Sequence, residues 1–420
     1  MSFLHCACTR AHVEDSPKSA TPYPRDIPYP PLVTKRVDER YMPAEMTGAG
    51  TCEGMINFET DPTYYELYTV IGKACGEAST ITLGRHIPSG THVAIRRTDL
   101  EKCPIDFNTL QSEAVLSHQL QHEKVLPLLC SFVFNHEMWS VTPMMAFGSC
   151  FDLLHAHFCG GLPEQAIAYV IRDILQALEY LHSRAIIHRS VRASHVLISA
   201  NGRVCLGGLR TAYCMIREGQ RFRCAYDYPS NCTRSLQWFA PEILEQNLSG
   251  YDTKSDIYSI GILSCELANG CAPYSDMTAT QMLLEKVKGI KPVLCDSSTL
   301  PADLLSEVTQ PAGEQRVQSE EGEKRHSAAK YASQRTFSRH FHNFVDICLE
   351  KDPRRRPSAT ILLGHPFLKS LKKKTSEVLP ELLYPVSPLT NLGDLPKCDV
   401  TLEATTSQLE NISIAEPWIF

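Results

Sequence analysis

Apolar and polar positions alternate along "YYELYTVIGKA" (64–74) and "STITLGRHIPSGTHVAIRRTDL" (79–100), which predicts strands with a Pro88-Ser89-Gly90 turn between two of them. The period then lengthens. In 107–121 the apolar residues Leu110, Val115, Leu116 and Leu120 fall at helical spacing, and 125–145 reads as two further strands. A small sheet crossed by one helix is therefore expected first. Beyond Gly148 helical patterns take over. Residues 164–184 predict a long amphipathic helix, and "DIYSIGILSCELANG" (256–270) is apolar nearly all round, as a buried helix is. Residues 279–289 and 341–353 add two more helices.

Three stretches break the pattern. Residues 1–63 are Pro-rich, with "TPYPRDIPYPPLV" at 21–33, and are expected to be disordered or extended. The polar run 292–335 lacks a core face and is expected to be a flexible insert. Residues 371–420 form a tail. It begins with the basic "LKKKTSE", read as a solvated helix end, and closes on Trp418-Ile419-Phe420. Such an aromatic terminus either packs on its own domain or docks on a partner, where aromatic anchors dominate binding.

Composition narrows the class. The 420 residues are 43% hydrophobic, enough for a large core, and the net charge of −6 leaves no electrostatic footprint for nucleic acid. No apolar run reaches the roughly 20 residues that span a bilayer. "MSFLHCACTR" lacks the apolar core of a secretory signal, so the 17 cysteines read as reduced thiols, mostly small core residues. "HCACTRAH" (5–12) lacks a second ligand pair at zinc-finger spacing and is not read as a metal site.

The motifs are ordered as in a protein kinase. "VAIR" (93–96) lies on the third strand, and Glu113 lies on the following helix, where kinases carry their ion-pair glutamate. "HRSVRASH" occupies the catalytic-loop place. "WFAPEIL" (238–244) contains Ala240-Pro241-Glu242, "KSDIYSIGI" carries Asp256, and "DPRRRPSA" carries Arg356. Residues 64–370 thus resemble the α+β bilobal protein-kinase-like fold, a small β-rich N-lobe and a larger helical C-lobe. The resemblance implies that Glu242 and Arg356 form a buried ion pair. It also implies that Asp256 accepts backbone N–H bonds from the catalytic loop.

The chemical positions fail together. Ser190 stands where the kinase loop needs an Asp as base, and Ser is no base near neutral pH. His195 replaces the Asn that binds the second Mg²⁺, and imidazole suits a hard cation poorly. Gly208-Leu209-Arg210 replaces Asp-Phe-Gly, so the metal-binding carboxylate is missing. Arg192 stands for the loop lysine and Arg96 for the third-strand lysine. The expectation is a pseudokinase without a metal site.

Nucleotide binding is a separate matter. In "IGKACGEASTI" (71–81) Ile71 and Gly72 stand, Ala74 takes the second glycine position, and Glu77 falls near the third. Thr142 to Met145 provides a hinge for an adenine. Arg96 and Arg210 align toward the phosphates, where two guanidinium groups could replace Mg²⁺ as counter-charge; the alternative is that they pair with acids such as Glu113. ATP is expected as a structural ligand without Mg²⁺.

The substitutions are themselves a signature. "HRSVRASHVLIS", "LGGLR", "GYDTKSDIYSIGILSCELANG" and "RTFSRHFHNFVDICLEKDP" resemble the sterile-twenty-related adaptor pseudokinases, the STRAD family, and "VAIRRTDLEKC" and "SEVLPELLYPVSPLTNL" look more like its alpha form. The resemblance implies an adaptor that holds a closed, active-like shape. It would bind the kinase domain of liver kinase B much as a substrate would be bound. It would activate that kinase allosterically with the helical-repeat scaffold mouse protein-25, and help move it from nucleus to cytoplasm. Both compartments are therefore expected. Family members end in Trp-Glu-Phe, the scaffold-docking tail. Trp418 and Phe420 match it, while Ile419 departs. "FRCAYDYPSNCTRSLQ" (222–237) corresponds to the segment that meets the partner kinase and is divergent. Two alternatives remain: a kinase-fold binding module for other partners, and a weakly active serine/threonine kinase.

Overall fold

Alternation along the first strands turns one set of side chains inward. Tyr65, Leu67, Val93, Ile95, Trp139 and Val141 form the core of a small lobe. Its strands are β1 (Tyr65–Ala74), β2 (Ser79–His86), β3 (His92–Asp99), β4 (Cys130–Phe134) and β5 (Glu137–Pro143). The single helix α1 (Phe107–Gln119) is capped by Asp106, whose carboxylate accepts the Asn108 N–H at 3.2 Å. The computed structural model describes residues 57–74, 78–229, 235–299, 331–389 and 418–419, all within the unit Ile56–Phe420.

The larger lobe follows from the helical patterns. Ser149 caps α2 (Cys150–Ala156) in a reciprocal box with Asp152. The amphipathic α3 (Glu164–Ser183) lays its apolar face against α5 (Lys254–Asn269), which is buried over nearly its whole length. The short strands β6 (Gly148–Ser149), β7 (Ile186–Ile187), β8 (Val196–Ile198) and β9 (Val204–Leu206) hold the loops between the lobes. β10 (Tyr213–Cys214) pairs with β7, and β11 (Ile216–Arg217) pairs with β12 (Gln220–Arg221). Helices α4 (Pro241–Leu244), α6 (Ala279–Lys288), α7 (Arg339–Cys348), α8 (Ala359–Leu363), α9 (Pro366–Lys369) and α10 (Thr375–Leu382) complete the lobe. The final strand β13 (Trp418–Ile419) runs parallel to β1, with Gly72 opposite Trp418 and Lys73 opposite Ile419, so the sheet order is β13-β1-β2-β3-β5-β4.

Three boundaries differ from those read in the sequence. Residues before Tyr64 already pack on the fold: the Phe58 ring lies 4.7 Å from that of His86, and His86 Nε2 meets the Glu59 carboxylate at 2.8 Å. The flanks of the 292–335 insert belong to the fold. Leu294, Asp296 and Ala332 are buried, Asp296 accepts the Phe337 N–H at 2.8 Å, and Arg335 donates to the Cys295 carbonyl at 2.9 Å. The tail read from 371 onward first contributes α10, whose Leu379 joins the C-lobe core with Leu383. These flanks are held by a few buried polar groups and widely spaced leucines, which leave no periodicity to read. Residues 1–56, 300–330 and 390–417 lie outside the described residues, as do Phe420, 230–234 within the divergent 222–237 segment, and the 75–77 stretch of the glycine-poor loop.

Candidate functional site

The cleft is framed by charge. β3 presents Arg96 and α1 presents Glu113, and the two meet fork to fork, with Nη1 to Oε1 at 3.3 Å and Nη2 to Oε2 at 3.2 Å. Arg210 adds a third contact, Nε to Oε2 at 3.4 Å. Burial alone would push the Glu113 carboxyl up; the Arg96 and Arg210 guanidiniums outweigh it and hold the group below its usual value. Both arginines therefore grip one carboxylate, the arrangement left open in the sequence. They remain partly exposed, with side-chain exposures of 24% and 27%.

The loop "HRSVRASH" is fixed from below. Asp256, at the start of α5, accepts the backbone N–H groups of His188 and Arg189, each at 2.9 Å, and meets His182 Nε2 at 2.8 Å. Its carboxyl is raised by burial but lowered more by these partners. His188 is buried, with Nε2 2.9 Å from the Gly207 carbonyl. That carbonyl can only accept, so Nε2 carries the proton and Nδ1 receives the Ser190 N–H at 3.2 Å. Ser190 is buried.

His195 is committed in the same way. Its Nδ1 lies 2.7 Å from the Ser190 carbonyl and must donate. Its Nε2 then accepts from Arg192, 3.3 Å from Nε and 3.1 Å from Nη2. Enclosure of the ring, then the positive charge of Arg192, hold it well below the usual histidine value, so it is neutral. Neither ring nitrogen keeps a free lone pair for a metal. Gly208 sits at φ +77° against that ring and offers no carboxylate. The donor set does not fit Mg²⁺. No group of three metal-ligating side chains occurs among the described residues.

The activation segment is tied down on both sides. Arg189 reaches the carbonyl and carboxylate of Asp227, at 3.0 and 2.9 Å, and the Tyr251 hydroxyl at 2.9 Å. Arg356 clamps Glu242 through two bonds of 2.6 and 2.8 Å, and it also donates to the Glu350, Lys254 and Lys351 carbonyls. Two anchors escaped the sequence reading. Buried Lys286 donates to the carbonyls of Leu236, Gln237 and Phe239 at 3.2, 2.5 and 2.8 Å. Glu266 accepts the Ala193 N–H at 3.1 Å and the Trp238 indole N–H at 2.8 Å. Glu266 was findable, as a lone acid inside an otherwise apolar helix; Lys286 sits in an ordinary amphipathic run and gave no signal.

The remaining predicted residues form no side-chain cluster of their own among the described residues. Ile71, Gly72 and Ala74 lie on β1, and Ala74 is buried. Thr142 lies near the end of β5 with its hydroxyl 3.3 Å from the Ala94 carbonyl, and buried Met145 packs with Leu197 and Cys205. The backbone of Trp418 and Ile419 lies along β1.

This architecture agrees with what known proteins show. The protein kinase domain family model matches residues 65–368. The STE20-related kinase adapter protein alpha of Gallus gallus is 46% identical over 344 residues, covering 80% of this chain and 88% of that protein. The alpha protein of Homo sapiens is 44% identical over 399 residues, covering 93% and 92%. The beta protein of Mus musculus is 36% identical over 412 residues, covering 93% and 97%. Matched by the protein kinase domain over 65–368 and by these adapters over most of its length, this chain belongs to the STE20-related kinase adapter family, on the side of the alpha forms.

Proposed function

We propose that this chain is a catalytically inactive adaptor that uses a kinase-like shape to hold and activate a serine/threonine kinase. One contrast carries the reading. The frame contacts Arg96–Glu113, Asp256 to the loop, and Glu242–Arg356 are all made, while the loop offers Ser190 for a base and a neutral His195 with both nitrogens engaged. Loss of the base alone costs about 10²–10⁴ in rate. Loss of the metal carboxylate at Gly208 removes charge stabilisation as well.

The partner in this proposal is the kinase domain of liver kinase B, held against the activation segment, with the mouse protein-25 scaffold engaging Trp418, Ile419 and Phe420. The complex would draw the partner kinase from nucleus to cytoplasm. ATP would be a structural ligand without Mg²⁺, along Ile71, Gly72 and Ala74, with adenine at Thr142–Met145 and phosphates at Arg96 and Arg210. A ligand that binds only the closed form stabilises that form.

The test is reconstitution. Liver kinase B activity on a peptide is measured with this chain, with the scaffold, and with both. Activity should rise with the full set, and phosphotransfer by this chain alone should stay at background. An adaptor that is folded and leaves partner activity unchanged would defeat the reading. The nucleotide part is read separately: a melting shift with ATP should survive EDTA and vanish in Arg210→Ala.

A second reading, a kinase-fold module for other partners, is favoured by one observation. The Trp418–Ile419 backbone pairs with its own β1, so the tail can complete its own sheet. Scaffold capture unchanged by Trp418→Ala would defeat the docking role of the tail, and no capture in either form would select this reading.

A further inference from the structure

A cavity of about 500 Å³ lies between α3, the β8–β9 turn and the start of α10. Six cations line it: Lys124, Arg172, Arg203, Lys372, Lys373 and Lys374. Only two carboxylates do, Glu123 and Asp173, so the local balance is six minus two, or +4, in a chain whose net charge is −6.

The two acids are already engaged. Asp173 is buried, with one oxygen 2.8 Å from Lys124 Nζ and the other accepting the Thr375 hydroxyl at 2.7 Å. Glu123 lies 3.5 Å from the same Lys124. Arg203, Lys372, Lys373 and Lys374 form no ion pair with a carboxylate among the described residues. Four cations are thus gathered without a carboxylate partner, three of them exposed, and their summed positive potential favours an anion.

The wall that gathers them is rigid. Arg172 donates to the Lys373 carbonyl at 3.1 Å and to Thr375 Oγ1 at 2.8 Å, which fixes the lysine run onto α3. Gly202, at φ +75°, brings the β8–β9 turn so close to α10 that a β-carbon there would lie 2.6 Å from Pro380 Cδ. Arg203 is thereby held beside the lysines. No side chain caps the first turn of α10, and Ser376 is exposed there.

We propose that this cavity binds a multiply phosphorylated small ligand, an inositol polyphosphate in chemical type, either free or as a lipid headgroup. The volume suits a compact polyanion better than an extended acidic segment. The mix of point-charge lysines and a forked arginine suits several phosphates at once.

The full chain is titrated with inositol hexakisphosphate by calorimetry at about 0.15 M salt, where surface attraction is screened within about 8 Å. Saturable one-site binding is expected. It should weaken about tenfold or more in Lys373→Glu and in Arg203→Glu, and persist in Arg210→Ala. Both variants should melt near the parent temperature; if one does not, Lys372→Glu replaces it. Vesicles of phosphatidylcholine, with and without phosphatidylinositol bisphosphate, separate the lipid source from the free one; capture by either source supports the site. Three results overturn it: no saturable binding to any phosphate probe, binding abolished by Arg210→Ala but not by Lys373→Glu, or tighter binding of polyglutamate than of the phosphates.

Discussion

A β-carbon on Gly208 would lie 2.3 Å from Nδ1 of His195. The two positions that the sequence reading paired with metal ligands are therefore coupled here. His195 occupies the space that a carboxylate at 208 would need, and its ring is fixed by the Ser190 carbonyl and Arg192. A carboxylate cannot return at 208 while the His195 ring stays in place.

Gly208→Asp should therefore destabilise the chain rather than restore metal binding. The left-handed backbone and the collision together should cost about 2–4 kcal/mol. Gly208→Asp with His195→Asn should recover much of that loss, because the collision term disappears while the backbone term remains. Urea unfolding of the two single variants and the double closes the cycle; simple additivity would disprove the coupling.

Much of this was legible in the sequence and some was not. The strands β1 to β3 and helix α5 follow from period and composition alone, because a buried face repeats every two or 3.6 residues. Ser190, His195 and Gly208 could be placed because the intact motifs around them fix the frame. The collision between Gly208 and His195 could not, since it depends on a positive φ and a ring orientation. The hold of Arg210 on Glu113 was one of two open choices, because aligned arginines do not reveal which anion they face. The edges at 57–63, 292–299 and 371–389 were missed because single anchors such as His86 and Asp296 carry no repeat.

The Glu242–Arg356 pair gives a sharper stability test. Both side chains are almost fully buried, and Arg356 satisfies three backbone carbonyls as well. Arg356→Met should cost about 3–5 kcal/mol, because it strands a buried carboxylate. Glu242→Gln with Arg356→Met should cost less than the single arginine change. Equal losses in chemical denaturation would mean that the charge is not what matters.

Lys286 holds the backbone just before Ala240-Pro241-Glu242. It is buried, its ammonium lies over Tyr258 and Tyr274 at 5.2 and 5.4 Å, and burial pushes it well below the usual lysine value. Lys286→Met keeps the length and apolar stem but leaves three carbonyls without their donor. Amides of 235–240 should exchange about tenfold faster or more, consistent with about 1–3 kcal/mol of lost local protection. Unchanged protection of that segment by hydrogen-exchange mass spectrometry would refute the role.

Glu266 predicts a pH dependence with a definite sign. Burial pushes its carboxyl up from 4.5 to about 7, against the lowering effect of the Trp238 and Ala193 N–H groups. A carboxyl that titrates higher in the folded chain keeps its proton while the unfolded chain loses it. Its contribution is therefore fully present below pH 4.5, falls as the pH rises, and is gone above about 7. The whole fall is at most about 3 kcal/mol for this one group. Glu266→Gln removes the titration and can keep an acceptor for Trp238. Its unfolding free energy should therefore decline less steeply than the parent's between pH 5 and 7, when both are measured by urea titration at matched ionic strength. Parallel curves would mean that the folded chain holds Glu266 ionised, with its charge borne by the Ala193 and Trp238 N–H groups and the nearby Arg192.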